Sequence, residues 1–467
     1  MGLMDARDMG WCVRALGAAL VQGDASKAVT GVSTDSRRAG PGDVFVALRG
    51  ERFDGHDYVD EVARRGVAGV VVSMGFGGSV PGDVAVLRTD DTRAALGRMA
   101  AAYRGELGAT VVAVAGSNGK TTTKELLARV LGTAGPVWWS AASFNNDVGV
   151  PLSLMAGAGT DRVGILEAGT NHPGELAPLL RMMRPQVGVL TSIGREHLEF
   201  FGDELGVARE EGALAEALGV DGLLALQGDG PFADGIAARC AGRVLRFGWS
   251  ASHDWRVVSS RSLWEGEEFE VAGGGAGWDG TWRVGVPGRA MASNATAALL
   301  VAKELGVEPG AAREALAGFR APERRMAVRD AGGVRILDDC YNANADSVAS
   351  ALETFSRLPC LGRKVAVLGD MAELGGASEA AHAEAGERAA ASVDALLAVG
   401  RWSGVMASAA RRAGMEIAMA CEDVDGALAW LEGSLREGDA MLVKGSRSSR
   451  MERVTEGWAR KAGGAAC

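Results

Sequence analysis

The segment VVAVAGSNGKTTTKELLARVLG, starting at Val111, is the part of the chain whose residue types and spacing most plainly do chemistry. An apolar strand-like run ends in a turn bearing Gly116 and Gly119. Lys120 and Thr121 then open a helix whose Leu126, Leu127, Val130 and Leu131 share one face. Such a turn lets the backbone N–H groups from Gly116 through Ser117, Asn118, Gly119, Lys120, Thr121 and Thr122 approach phosphate oxygens, while the helix start favours negative charge and Lys120 supplies a cation. The longer GxxxxGK[ST] pattern would need glycine where Val114 stands, so the match is to a shorter GxxGKT form. An ordinary glycine-rich turn would leave the Lys-Thr-Thr trio unexplained. Thr121 is placed to ligate magnesium, and a nucleoside triphosphate calls for carboxylates at the C-terminal ends of neighbouring strands. Glu167 follows the run from Val163 to Leu166, and His197 follows VGVLTSIG within GREHLEFFG; for His197 a hydrogen-bonded structural role competes.

These residues need a sheet to hold them. Short apolar runs alternate with helix-like segments from about Thr110 onward, which predicts an α/β fold with parallel sheets. The 467 residues suggest roughly three domains at about 150 residues each. Boundaries at glycine- and proline-rich points divide the chain into 1–107, 108–319 and 320–467. The stretch from Arg243 to Arg289 differs: Trp249, Trp255, Trp264, Trp278 and Trp282 with alternating patterning predict short antiparallel strands and local aromatic core. Formal charge is 49 − 59 = −10, which disfavours a nonspecific nucleic-acid surface. Cys12, Cys240, Cys340, Cys360, Cys421 and Cys467 are scattered without zinc-like spacing, as in a reducing compartment. The sequence shows neither a secretory pattern nor an apolar run of membrane-spanning length, so a cytoplasmic protein without membrane insertion is expected. The tail GGAAC is expected to fray.

Taken together, TDSRRAGPGDVFVALRGERFDGHDY, GSNGKTTTKE, FNNDVGVPLSL, EAGTNHPGE, IGREHLEFFG, DDCYNANADS, LGDMAELG and VKGSRSSRME resemble the Mur ligases, ATP-dependent amide-forming enzymes of peptidoglycan precursor synthesis. The similarity runs along essentially the whole chain. It is nearest to members that join D-alanyl-D-alanine to a UDP-N-acetylmuramoyl-tripeptide; the DNPR motif typical of the diaminopimelate-adding members is missing. A folylpolyglutamate synthetase is disfavoured by the TDSR and ERFDGHDY segments, and a regulatory P-loop module would leave the third domain without a role. The resemblance implies a small N-terminal α/β domain for the UDP-sugar, a central P-loop-like ATPase domain, a Rossmann-like C-terminal domain for the incoming dipeptide, and a monomer. It also implies ATP as co-substrate with Mg2+, and a peptide carboxylate that attacks the γ-phosphate to give an acyl phosphate.

Residue by residue, the resemblance makes Lys120, Glu167 and His197 catalytic. It places Thr121 and Glu167 on one magnesium ion and Glu167 with His197 on a second. GVAREEGALAEAL aligns with a family segment that usually carries a carbamylated lysine, and Glu211 falls at that place; its carboxylate is expected to serve the metal instead, against the alternative of a solvated helix carboxylate. Asn294 matches an adenine contact of the pattern GxHNxxN, in which Ala290 and Met291 replace the histidine and first asparagine. Arg325 and Asp339 match ATP contacts from the third domain, with an interdomain ion pair and a turn cap as the competing roles. Ser36, Arg37, Asp54 and His56 resemble the UDP-sugar site, and Asn145 and Asn146 residues facing the muramoyl peptide. Asn342, Asn344, Lys444, Ser446 and Arg447 are candidates for holding the dipeptide.

Overall fold

The computed structural model describes residues 4–463; the C-terminal positions 464–467, with Cys467 and most of the tail expected to fray, lie outside the described residues. Three large sheets carry the chain, with a two-stranded antiparallel pair, Arg7–Asp8 and Ala28–Val29, beside the first. In the first part, a five-stranded sheet runs in the order Ala19–Gln22, Ala85–Thr89, Gly69–Ser73, Asp43–Val46, Gly31–Ser33, parallel except for its first pair. The turn at Gly40 to Asp43 links its last two strands, and Val44, Phe45 and Val46 are fully buried.

The second part is built on a nine-stranded sheet. Thr110–Ala115 is third from one edge, between Val163–Glu167 and Val187–Leu190, all parallel, followed by Leu223–Gln227 and Arg243–Gly248. Near-continuous apolar runs suit strands covered on both faces by helices. The antiparallel expectation for the tryptophan-rich stretch holds only from Trp255–Leu263 onward, through Gly266–Ala272 and Gly280–Val284. Arg243–Gly248 pairs parallel with its neighbour, so this stretch extends the same sheet. Trp255, Trp278 and Trp282 are core as expected, but two tryptophans are not merely local. Trp249 lines the large cavity described below, under the Arg289 guanidinium at 3.6 Å. Trp264 crosses to the third part, where it packs edge-on against Phe355 and donates its indole N–H to the Pro359 carbonyl at 2.7 Å.

The third part is a six-stranded sheet ordered Ala327–Ala331, Val334–Asp339, Ala440–Lys444, Lys364–Leu368, Ala395–Val399, Ile417–Cys421, parallel apart from its first pair. Among the parallel strands of the second and third sheets, those ending at Glu167, Asp339 and Lys444 reach one cleft, as does Thr191 just beyond the Val187–Leu190 strand. The five cysteines among the described residues are free thiols, and no described helix is long and apolar enough to cross a membrane. Because Trp264 joins two domain cores, Trp264→Ala should lower unfolding stability by about 3 kcal/mol, read as a lower urea midpoint.

Candidate active site

Gly119 precedes the Lys120–Leu131 helix at φ +87°, and a Cβ there would sit 2.9 Å from the Asn294 amide. At Gly116, φ +116°, a Cβ would meet Thr191 Oγ1 at 2.5 Å and the Ser192 carbonyl at 2.8 Å. Both positions need glycine on conformational and steric grounds together. The resulting turn presents Ser117 through Thr122 to a cavity of about 800 Å³ between the second and third domains.

Asn145, Asn146, Glu167, His197, Asn294, Arg325, Asp339, Asn342, Asn344 and Lys444 also line this cavity. Residues far apart in sequence are therefore brought to one place. Glu167, almost wholly buried, accepts the Thr121 hydroxyl proton at 2.8 Å on one oxygen and an Asn145 amide N–H at 2.9 Å on the other. Lys120 donates to the Gly116 carbonyl and stands 3.5 Å from Glu196. Burial works against its ammonium, yet Glu196, Glu211 and Glu167 outweigh that and raise its pKa above the ordinary lysine value.

Magnesium takes hard oxygen donors, commonly one or two carboxylates, and keeps its remaining places for water and substrate phosphate. The Thr121 hydroxyl and the Glu167 carboxylate fit that chemistry at the mouth of the phosphate turn. His197 sits at φ +48°, with Nδ1 2.6 Å from Glu373 of the third domain and Nε2 3.9 Å from Glu196. The adjacent His197 ring holds the Glu373 carboxyl below the usual range.

For Glu211 the solvated-face alternative fails: the residue is fully buried, and it is not among the residues that line the cavity. One oxygen accepts the Gly116 N–H at 2.7 Å and the other has no hydrogen-bond partner. Burial first, with Glu196 adding to it, raises its pKa well above the carboxylate range despite the nearby Lys120. Glutamate's short stem leaves the group one layer behind the turn, where it braces the loop backbone.

Other expected residues differ in their surroundings. Asp339 joins Lys444 at 2.5 Å and accepts the Met326 N–H at 3.1 Å. Lys444 is almost fully buried and also donates to the Asn342 carbonyl, so its charge is spent inside the third domain. Among the described residues Arg325 forms no interdomain ion pair; it lies over the Tyr341 ring and donates to Ser143 Oγ at 3.0 Å. Asn344 caps the Ala345–Arg357 helix and gives an amide N–H to Asn118 of the phosphate turn at 3.0 Å. Asn146 takes the Gly149 N–H at 2.8 Å, capping the start of a short helix.

Ser36, Arg37, Asp54, His56, Ser446 and Arg447 do not line this cavity. Arg37 pairs with Asp35, and Arg447 with Glu452. The Ser446 hydroxyl meets Ser448 and Ser449. The Asp54 carboxylate takes the His56 backbone and ring N–H groups, which hold its pKa well below the ordinary value. The other His56 nitrogen accepts the Ser73 N–H at 3.0 Å, so this ring shapes the loop and has no free nitrogen.

Three groups at the site were missed in the sequence reading. Glu196 faces Lys120, Ser143 meets both Arg325 and Tyr341, and Arg195 binds Asp346 at 2.7 Å and Glu384 at 2.6 Å across the interface. Only Glu196 carried a signal, as an acidic neighbour of His197.

Three family profiles match in sequence order: "Mur ligase family, catalytic domain" at residues 28–104, "Mur ligase middle domain" at 114–302 and "Mur ligase, glutamate ligase domain" at 324–447. The chain belongs to the Mur ligase family. It is 35% identical over 432 residues to the UDP-N-acetylmuramoyl-tripeptide–D-alanyl-D-alanine ligase of Escherichia coli K12, covering 91% of this chain and 92% of that protein. The Bacillus subtilis protein of the same name is 32% identical, with 92% and 93% covered. A crystal structure of MurF from Acinetobacter baumannii superposes with a TM-score of 0.88 at 27% identity, covering 98% of this chain and 99% of that one. MurF from Thermotoga maritima in complex with ADP gives 0.80 at 28% identity, covering 93% and 98%.

Removing the Glu211 acceptor strands a buried N–H at the start of the phosphate turn. Glu211→Ala should therefore raise the Kd for ADP with magnesium about tenfold, measured by calorimetry. Glu211→Gln, which keeps an acceptor, should lose less.

Proposed function

We propose that this chain joins D-alanyl-D-alanine to UDP-N-acetylmuramoyl-tripeptide at the expense of ATP, giving the pentapeptide precursor of peptidoglycan. The observation that carries the reading is the phosphate turn of Lys120 with the Thr121–Glu167 pair at its mouth, roofed by a third domain that touches the turn through Asn344. The tripeptide's terminal carboxylate attacks the γ-phosphate, ADP leaves, and the dipeptide amine then displaces phosphate from the acyl phosphate. Both reactants of the first step are anions, so the site has to offset their repulsion.

Lys120 neutralises phosphate charge, while the N–H groups from Ser117 to Thr122 orient the phosphates. Thr121 and Glu167 would hold the magnesium ion of the nucleotide, and Glu167 with His197 a second near the substrate carboxylate. Bound there, magnesium supplies Lewis-acid stabilisation of phosphoryl charge. Asn294 lies beside the turn for the adenine, and Arg325 and Asp339 approach from the third domain for the rest of the nucleotide. Asn145 and Asn146 suit the muramoyl peptide, and Asn342 with Asn344 the incoming dipeptide. In the N-terminal domain, 1–107, the segments around Ser36, Arg37, Asp54 and His56 take the UDP-sugar; 108–319 binds ATP and 320–467 completes the site. The roof keeps water from an acyl phosphate that would otherwise hydrolyse. The cleft is completed within one chain, which supports a monomer, and its nucleotide substrates are those of the cytoplasm.

The test is phosphate release and pentapeptide formation across a matrix of UDP-muramoyl-peptides and dipeptides. Release should require both acceptors, and Lys120→Met should cut it by about a thousandfold or more with the fold intact. Release that ignores the acceptors contradicts the assignment.

A further inference from the structure

Lys124 lies one helical turn beyond Lys120, is fully buried and does not line the cavity. A buried ammonium is tolerated only when its donors are satisfied. All three are: Nζ donates to the Ser140 carbonyl at 2.6 Å and the Ala142 carbonyl at 2.5 Å, and pairs with Glu125 at 2.9 Å. Both carbonyls belong to the loop that leaves the Val137–Trp139 strand. Ala142 is left-handed there, φ +45°, a conformation that a Cβ-bearing residue keeps only when its surroundings impose it.

The loop so held presents two groups to the reaction site. Ser143 Oγ lies 3.4 Å from Thr121 Oγ1 and accepts from the third domain's Arg325 at 3.0 Å and Tyr341 hydroxyl at 3.1 Å. Asn145 donates to Glu167 at 2.9 Å. Ser140 itself, through its hydroxyl, accepts the Glu167 backbone N–H at 3.1 Å. One hydroxyl therefore joins the docked third domain to the residue at the mouth of the phosphate turn, and its place depends on the bent backbone just before it.

We propose that Lys124 is a positioning residue for the ligation. It holds residues 140–145 in the shape that lets Ser143 couple Arg325 and Tyr341 to Thr121, and Asn145 to orient Glu167. The inference rests on the ligase assignment, and wild-type enzyme showing no acceptor-dependent phosphate release would overturn that assignment before any variant is compared.

The experiment is a double-mutant cycle on the full chain with Lys124→Met and Ser143→Ala, reading kcat for ligation and, separately, the Kd of ADP without magnesium. Ser143→Ala should lower kcat about tenfold in the parent and less than about twofold in the Lys124→Met background, because the serine is already misplaced there. Affinity for ADP without magnesium should stay within about threefold throughout, since the phosphate turn is untouched and Thr121 and Glu167 bear on the metal. A generally loosened fold would instead weaken ADP binding in step with kcat. Independent, additive losses, an unaltered kcat in either single variant, or a parallel fall in ADP affinity overturns the proposal. Should Lys124→Met not fold, Lys124→Gln, which retains two N–H donors, replaces it in the same cycle with the same criteria.

Discussion

One ammonium, that of Lys120, faces the carboxylates of Glu167, Glu196 and Glu211, and the rest of the site is arranged around keeping those charges tolerable. Each carboxylate is answered by a different part of the chain. Glu167 has the Thr121 hydroxyl and the Asn145 amide, Glu211 has the Gly116 N–H, and Glu196 has Lys120. A site built this way cannot accept a triphosphate and a second carboxylate on protein cations alone. It suits reactants that arrive with metal ions, and it explains why glycine, threonine and asparagine stand beside the acids.

The same economy governs the closure of the domains. Arg195 binds Asp346 and Glu384, His197 meets Glu373, Asn344 meets Asn118, and Trp264 packs on Phe355. Hydrogen bonds to Glu384 and Asp346 hold the Arg195 pKa above its usual value, and the same guanidinium holds the Glu384 carboxyl below its own. The polar links lie at the cleft and the aromatic one lies outside it. Closure is thus fastened next to the place where an acyl phosphate needs protection from water.

Much of the fold was legible because it is written locally. The strand, glycine turn and helix around Gly116 occupy contiguous residues, and the buried parallel strands announce themselves as apolar runs. Glu167 could be found because a strand end points its side chain at the ligand side of such sheets. Glu211 could not be placed. Its neighbours Arg209 and Glu210 make the Glu204–Glu211 helix look like a solvated face, and only the packing of that helix behind the turn buries its last residue. Ser143, Arg195 and Glu373 were invisible for a related reason: their partners lie more than a hundred residues away in another domain, which no local pattern records. Trp249 and Trp264 had the right residue type for core, but Trp249 also lines the cavity and the neighbours of Trp264 lie across the domain interface.

The central claim is that the tripeptide carboxylate itself takes the γ-phosphoryl group at the Lys120 turn. Ligation with tripeptide labelled with oxygen-18 in its terminal carboxylate tests this most directly, because the attacking oxygen must leave with phosphate when the amine displaces it. The account predicts one labelled oxygen in each phosphate released alongside pentapeptide. Pentapeptide formed with unlabelled phosphate would contradict it.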